Sequence, residues 1–215
     1  MRPVLDPSGP TPSPSGSVTP SGPIPPAVRK FGFLPDIRQC QSGDLLLFSA
    51  CDPPWISRAI VKAQTRGGYA HFDASWHHAA VYVGQYVICE AQGRKVRISK
   101  LYDYVGSHRI LVRRDSSLSS RSGMEIAMKA MEQTGNPYGF FSLLELGWQS
   151  LRGFWRPLQT LGEQRAVICS KLYADAYAQT TGKLLVSGKL GIPTPASLSL
   201  TNRLSDVNVN WRRIS

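Results

Sequence analysis

The stretch Trp76-His77-His78-Ala79-Ala80-Val81-Tyr82-Val83-Gly84-Gln85-Tyr86-Val87-Ile88-Cys89-Glu90-Ala91 decides the fold. Two short apolar runs flank a glycine-containing turn, the pattern of an antiparallel hairpin. The expected strands are His78 to Val83 and Val87 to Ala91. Strand alternation puts His78, Ala80 and Tyr82 on one face. The turn is read as three residues, Gly84-Gln85-Tyr86, so that Val83 opposes Val87 and Glu90 opposes Ala80. Glu90 then lies diagonal to His78 on the same face, within side-chain reach. A two-residue turn would flip the register and carry Glu90 to the other face. His77 points the opposite way and is the second candidate for a base.

Upstream of the hairpin, Ser42-Gly43-Asp44 reads as a turn and Leu45-Leu46-Leu47-Phe48 as a short buried strand. Asp52 is the expected cap of a helix with Pro53 in its first turn. Ile56, Ala59, Ile60 and Ala63 fall at helical spacing, and Gly67 stops the helix. Residues 68–75 read as a loop. Downstream, Val96 to Ile98 and Ile110 to Arg113 are further strand candidates. Ser122 and Glu125 form an expected capping box. Met124, Ala127, Met128 and Met131 follow at helical spacing and read as core filler, with Gly135-Asn136-Pro137 ending the helix. Phe140 to Trp155 is strongly amphipathic, with Phe140, Leu144, Trp148, Leu151 and Trp155 on one face. No internal repeat is present.

The chemistry is expected at Cys169. A nucleophilic cysteine reacts as its thiolate, which a helix N-terminus favours through unpaired N–H groups and the macrodipole. Val167-Ile168-Cys169-Ser170-Lys171-Leu172 is an apolar approach followed by the start of a helix. Leu172, Tyr173, Ala176 and Tyr177 are expected to face inward and Gly182 to lie past its end. Lys171 adds positive charge nearby. Cys89 falls in a strand and reads as core. Cys169 is thus the candidate nucleophile, His78 its base and Glu90 the acid that orients the imidazole. No Cys-x-x-Cys pair is present, which removes zinc-finger and thioredoxin readings. Cys40 and Cys51 would pair only in an oxidising compartment.

These segments together resemble the NlpC-type papain-like superfamily. The likeness is carried by Gly43-Asp44-Leu45-Leu46-Leu47-Phe48, Trp76 to Gly84, Ile88-Cys89-Glu90-Ala91 and Cys169-Ser170-Lys171-Leu172. In common members the cysteine helix comes first. Here it comes last, which resembles the circularly permuted branch of YaeF/YiiX-type amidases and lecithin retinol acyltransferase-like proteins. Asn136-Pro137-Tyr138-Gly139 and Pro193-Thr194-Pro195-Ala196-Ser197-Leu198 are similar to segments of that branch. The resemblance spans about residues 42 to 200. It implies an α+β, permuted papain-like (NlpC-type) fold, an antiparallel sheet packed against the helix carrying the catalytic cysteine. It also implies a Cys169–His78 pair with Glu90 as third polar group and no cofactor or metal.

The bulk composition bounds the rest. The chain has 215 residues, 42% apolar and 18% charged, enough for one substantial core. Residues 1–26 hold nine Pro, five Ser and three Gly, and the leader, residues 1–30, is expected to be disordered and outside the core. The catalytic domain is then residues 31–215. No apolar run approaches the roughly 20 residues of a spanning helix. The N-terminus lacks a secretory apolar stretch, so a soluble protein is expected, exported if at all by a signal-peptide-independent route. A formal charge of +11, from 25 Lys+Arg against 14 Asp+Glu, suits anionic membrane or cell-wall surfaces.

Three functions follow in order. The first is an amidase or peptidase acting on cell-wall peptide or another N-acyl amide. The second is a lipid esterase or acyltransferase at a membrane surface, favoured by the charge and by Phe140 to Trp155. An antibacterial secreted effector would suit either. The third is a basic nucleic-acid binder using Arg109, Arg113, Arg114, Arg121, Arg212 and Arg213, but no nucleic-acid motif is present and no nucleic-acid partner is expected.

Overall fold

Leu45-Leu46-Leu47-Phe48 shows no alternation because both sides of its strand are covered, and all four residues are fully buried. The computed structural model of the chain describes residues 2–10, 16–20, 22–92, 95–136, 169–185 and 193–215. The strands are β1 Val4–Leu5, β2 Phe33–Pro35, β3 Leu45–Ala50, β4 His78–Gly84, β5 Val87–Gln92, β6 Lys95–Lys100, β7 His108–Arg114, β8 Ser205–Asp206 and β9 Trp211–Arg213. The helices are α1 Pro26–Phe31, α2 Trp55–Arg66, α3 His71–Ala74, α4 Ser120–Met131, α5 Cys169–Thr181 and α6 Pro195–Leu200. The architecture is α+β. One antiparallel sheet has the order β1-β7-β3-β4-β5-β6, with β8 also on β7, and β2 pairs with β9 in a separate ribbon.

The sheet divides the core in two. On one face Leu45, Leu47, Ala79, Val81, Cys89 and Ala91 meet α4 and α5 through Ile126, Ala127, Leu172, Tyr173 and Tyr177. On the other, Leu46, Phe48, Ala80, Tyr82 and Ile88 meet Val28 of α1, Leu34 of β2 and Trp211 of β9. The helix that begins with Cys169 therefore lies on β4 and β5. The inward residues expected for it, Leu172, Tyr173, Ala176 and Tyr177, are all buried, and Gly182 beyond its end has φ +68°.

Several local expectations are corrected. The β4–β5 turn has two residues, not three. Gln85 and Tyr86 take φ of 49° and 61°, and Gly84 pairs with Val87. This is the backbone of a tight primed-type hairpin turn. A bulge at Val83, between Tyr82 and Gly84, absorbs one residue and restores the register, so Glu90 still opposes Ala80. Helix α2 starts at Trp55 behind Pro54, and Asp52 does not cap it. The loop 68–75 contains α3. Helix α4 is capped by Ser119, whose side chain accepts from Ser122 N–H, in place of the expected Ser122–Glu125 box. Its Met124 and Met128 are more than half exposed, and its buried residues are Ile126, Ala127 and Ala130. The capping box falls at α6, between Thr194 and Ser197. The amphipathic stretch Phe140 to Trp155 and Asn136-Pro137-Tyr138-Gly139 beyond Asn136 lie outside the described residues.

The N-terminal segment also differs from the leader expected for residues 1–30. Val4 and Leu5 pair with Leu111 and Ile110 on β7, and Leu5, Ile24 and Val28 are buried. Arg2 forks onto Asp206, with Nε–Oδ2 at 2.6 Å and Nη2–Oδ1 at 2.7 Å, and also reaches Asp73 at 3.2 Å. Composition hid this because a two-residue strand and one arginine leave no periodic signal among prolines.

Candidate functional site

The site forms where the first residue of α5 meets the first residue of β4. His78 Nε2 lies 2.7 Å from Glu90 Oε2, the diagonal contact that the hairpin register provides. The Cys169 side chain is close enough to the His78 ring to help hold its pKa up. With Nε2 committed to Glu90, Nδ1 is the nitrogen left for sulfur. All three residues are buried, Glu90 completely and Cys169 to 3% exposure. The structure thus brings together Cys169, His78 and Glu90.

Packing fixes the imidazole plane. Phe48 stacks on His78 with centroids 5.8 Å apart, and Tyr104 stacks on it at 5.8 Å and 16°. Phe48 reaches it because the β3–β4 register pairs Phe48 with His78. Small Ala79 and Ala80, both fully buried, let neighbouring elements close on the strand.

Electrostatics favour an ion pair. Burial alone would lower the His78 pKa, but the Cys169 and Glu90 hydrogen bonds and charges raise it, to about 9. Burial would likewise raise Glu90, but His78, Ser99 and Tyr104 hold its carboxyl down at about 2. His77, the second candidate base, accepts the Ala50 N–H at Nε2 over 2.8 Å. Burial, together with the nearby His78 and His108, drops its pKa to about 3. It is a neutral structural histidine rather than a base. Lys171, expected to add charge at the site, is ion-paired with Asp175 one turn along α5.

Besides Ser99, two further polar partners of Glu90 escaped the sequence reading. The Tyr104 hydroxyl, from a 3-10 turn at Leu101–Tyr104, donates to Glu90 Oε2. Arg97 donates to Glu90 Oε1 from Nε at 3.2 Å and from Nη2 at 3.1 Å. Arg97 stands directly opposite Glu90 in the β5–β6 register, so extending the hairpin logic by one strand would have found it. Tyr104 carries no such signal, because its position depends on how a short turn folds back over the sheet.

The remaining candidates have other settings. All four cysteines are free, including Cys40 and Cys51. Burial pushes Cys89 up to about 12, as expected of a core thiol. Arg113 is buried, holding Asp206 at 2.9 Å and the Leu198 and Ser199 carbonyls at 2.7 Å, and Arg114 holds Asp44. Both are thus spent on the fold rather than displayed as a basic patch. No helix of the described residues is long and apolar enough to cross a membrane. Among the described residues, no group of three or more His, Cys, Asp or Glu side chains is placed to hold a metal ion.

No protein-family model matches the chain, and no curated protein matches it significantly. Among solved structures, the chain is similar to one described as metalloprotein yiiX from Escherichia coli O157:H7, DUF1105. The two share a TM-score of 0.55 and 17% sequence identity, over 79% of this chain and 97% of that one. The likeness is one of fold: this chain has a YiiX-like α+β architecture.

Proposed function

We propose that the protein is a cysteine hydrolase of permuted papain-like organisation, with Cys169 as nucleophile, His78 as general base and Glu90 as the orienting acid. The observation that carries this reading is the His78 ring held between the Cys169 side chain and the Glu90 carboxylate in a buried site. The sulfur gives its proton to His78 and attacks a substrate carbonyl, forming a tetrahedral oxyanion that the Cys169 N–H helps to hold. Collapse expels the leaving group, which takes the proton from His78, and leaves a thioacyl enzyme. Water, losing a proton to His78, then releases the acid and regenerates the thiol. Glu90 keeps the imidazole oriented through both halves.

The substrate class read first is an amide, a cell-wall peptide or another N-acyl amide, in keeping with the YiiX-like fold and the amidases that the sequence resembles. A lipid ester is the second reading. It is favoured by the +11 charge and by Trp55, which is 64% exposed on a helix that also carries Arg58, Lys62 and Arg66. Purified protein is assayed side by side on peptidoglycan and on anionic liposomes, with released products identified by mass spectrometry. Cys169→Ala is expected to lose at least a thousandfold in turnover with its thermal midpoint kept. Full turnover in that variant on either substrate would end the cysteine-hydrolase reading.

A further inference from the structure

Glu90 has more partners than an orienting acid needs. His78 Nε2 and the Tyr104 hydroxyl share its Oε2, while Arg97 occupies Oε1 with two donors. Glu90 is fully buried, yet the Arg97 side chain is 45% exposed. A solvent-facing cation therefore touches the buried pair through one carboxylate. We propose that Arg97 is a positioning residue that limits the basicity of His78 by drawing part of the Glu90 charge onto Oε1.

The titratable and polar groups around the Glu90–His78 pair come from several neighbouring elements. His78 and His77 come from the β4 side, Arg97 and Ser99 from β6, Tyr104 from the 3-10 turn, His108 from β7 and Cys169 from α5. Burial holds His77 near 3 and His108 near 4, so both are neutral around pH 7. Tyr104 is pushed far up by burial and by Glu90, and stays a donor. Among the described residues, Arg97 is then the cation besides His78 that touches Glu90. Remove it, and the whole carboxylate charge faces the imidazolium. His78 binds its proton more tightly and is less available as neutral base for the water that releases a thioacyl enzyme.

The role assigned to Arg97 in turnover rests on the cysteine-hydrolase reading, but its effect on His78 is measured separately. The His78 ring 15N shifts are followed by NMR from pH 5 to 11 in the full chain and in Arg97→Met. The midpoint is expected to rise by about 0.5 to 1 unit, a threefold to tenfold gain in proton affinity, moderated because Arg97 is partly solvated. Arg97→Gln, which keeps a donor and removes the charge, is expected to shift it the same way and serves if the methionine variant does not fold. An unchanged or lowered midpoint in a folded variant overturns the proposal. A merely structural role would lower the thermal midpoint and leave the His78 titration in place. Iodoacetamide labelling read by mass spectrometry on the same samples tests the other reading. If wild-type Cys169 reacts no faster than Cys40 and Cys51, the hydrolase proposal falls, while the His78 titration still decides the role of Arg97.

Discussion

Glu90 is the residue on which the site turns, because its charge has been taken fully out of water. Burial favours its neutral form, but His78 and the surrounding donors hold the pKa at about 2, below the usual 4.5. A depressed carboxylate contributes stability above the unfolded value, lost as pH falls from 4.5 through about 2. His78 is the opposite case, raised from 6.5 to about 9, so its contribution is whole below 6.5 and is lost as pH rises through 9. The pair is therefore most stabilising between about pH 4.5 and 6.5. Glu90→Gln keeps the shape and removes the charge. It is expected to cost about 2 kcal/mol in that window, the scale of a charge-assisted hydrogen bond. Urea unfolding at pH 3, 5.5 and 9.5 checks this, and a wild-type minus variant difference that stays flat with pH would refute it. The placing of the three candidate residues was legible in the sequence because each depends on a local rule: a helix start, a strand start and a hairpin diagonal. Tyr104 was not, since its hydroxyl reaches Glu90 only after a turn of the chain has closed.

At the scale of elements, the register of β4 and β5 shows how a local expectation can succeed for the wrong reason. The three-residue turn was a misreading, but the bulge at Val83 supplies the extra residue inside the strand instead. Alternation counts residues and is blind to whether the odd one sits in the turn or beside it. Helix α4 shows the converse. Its methionines have helical spacing, yet only Met131 packs against the core, Ile126, Ala127 and Ala130 hold the buried stripe, and the helix is oriented by a close approach that no hydrophobic pattern encodes. Gly43 has φ +89°, and a Cβ there would lie 2.2 Å from Gly123 O. A Cβ on Gly123 would lie 2.4 Å from Ser42 O. The turn before β3 and the first turn of α4 thus meet backbone to backbone. Helix propensity alone says that Gly123→Ala should gain roughly 1 kcal/mol. The contact is expected to win, its overpacking cost of up to about 3 kcal/mol leaving a net loss of about 1–2 kcal/mol. Equilibrium urea unfolding gives the sign, and a more stable Gly123→Ala would show that α4 can move away from the turn at little cost.

At the scale of the whole molecule, the sheet has both faces covered, and the chain's early residues supply part of the cover and close one edge. Without residues 2–10, Ile110 and Leu111 of β7 would lose their strand partner at that edge. Asp73 and Asp206 would also lose the Arg2 guanidinium that bridges them. Arg113, itself 6% exposed, would keep Asp206 as its acidic partner, so the network would thin rather than vanish. The candidate site sits at the meeting of α5 with β4, whereas Arg2 hydrogen-bonds Asp73, Ser199 and Asp206 and β1 pairs with β7. Deleting residues 2–10 is therefore expected to separate stability from chemistry. The thermal midpoint should fall by about 2–12 °C, as for the loss of about 1–3 kcal/mol in a protein of this size. The opened β7 edge should promote association, visible as a concentration-dependent shift in sedimentation velocity. Cys169 labelling by iodoacetamide, measured below the new midpoint, should keep its wild-type rate to within about threefold. A truncated protein with an unchanged midpoint would show that β1 and Arg2 contribute nothing net. A collapse of Cys169 labelling at unchanged stability would mean instead that the N-terminal strand reaches the site through the sheet, from β7 across β3 to His78.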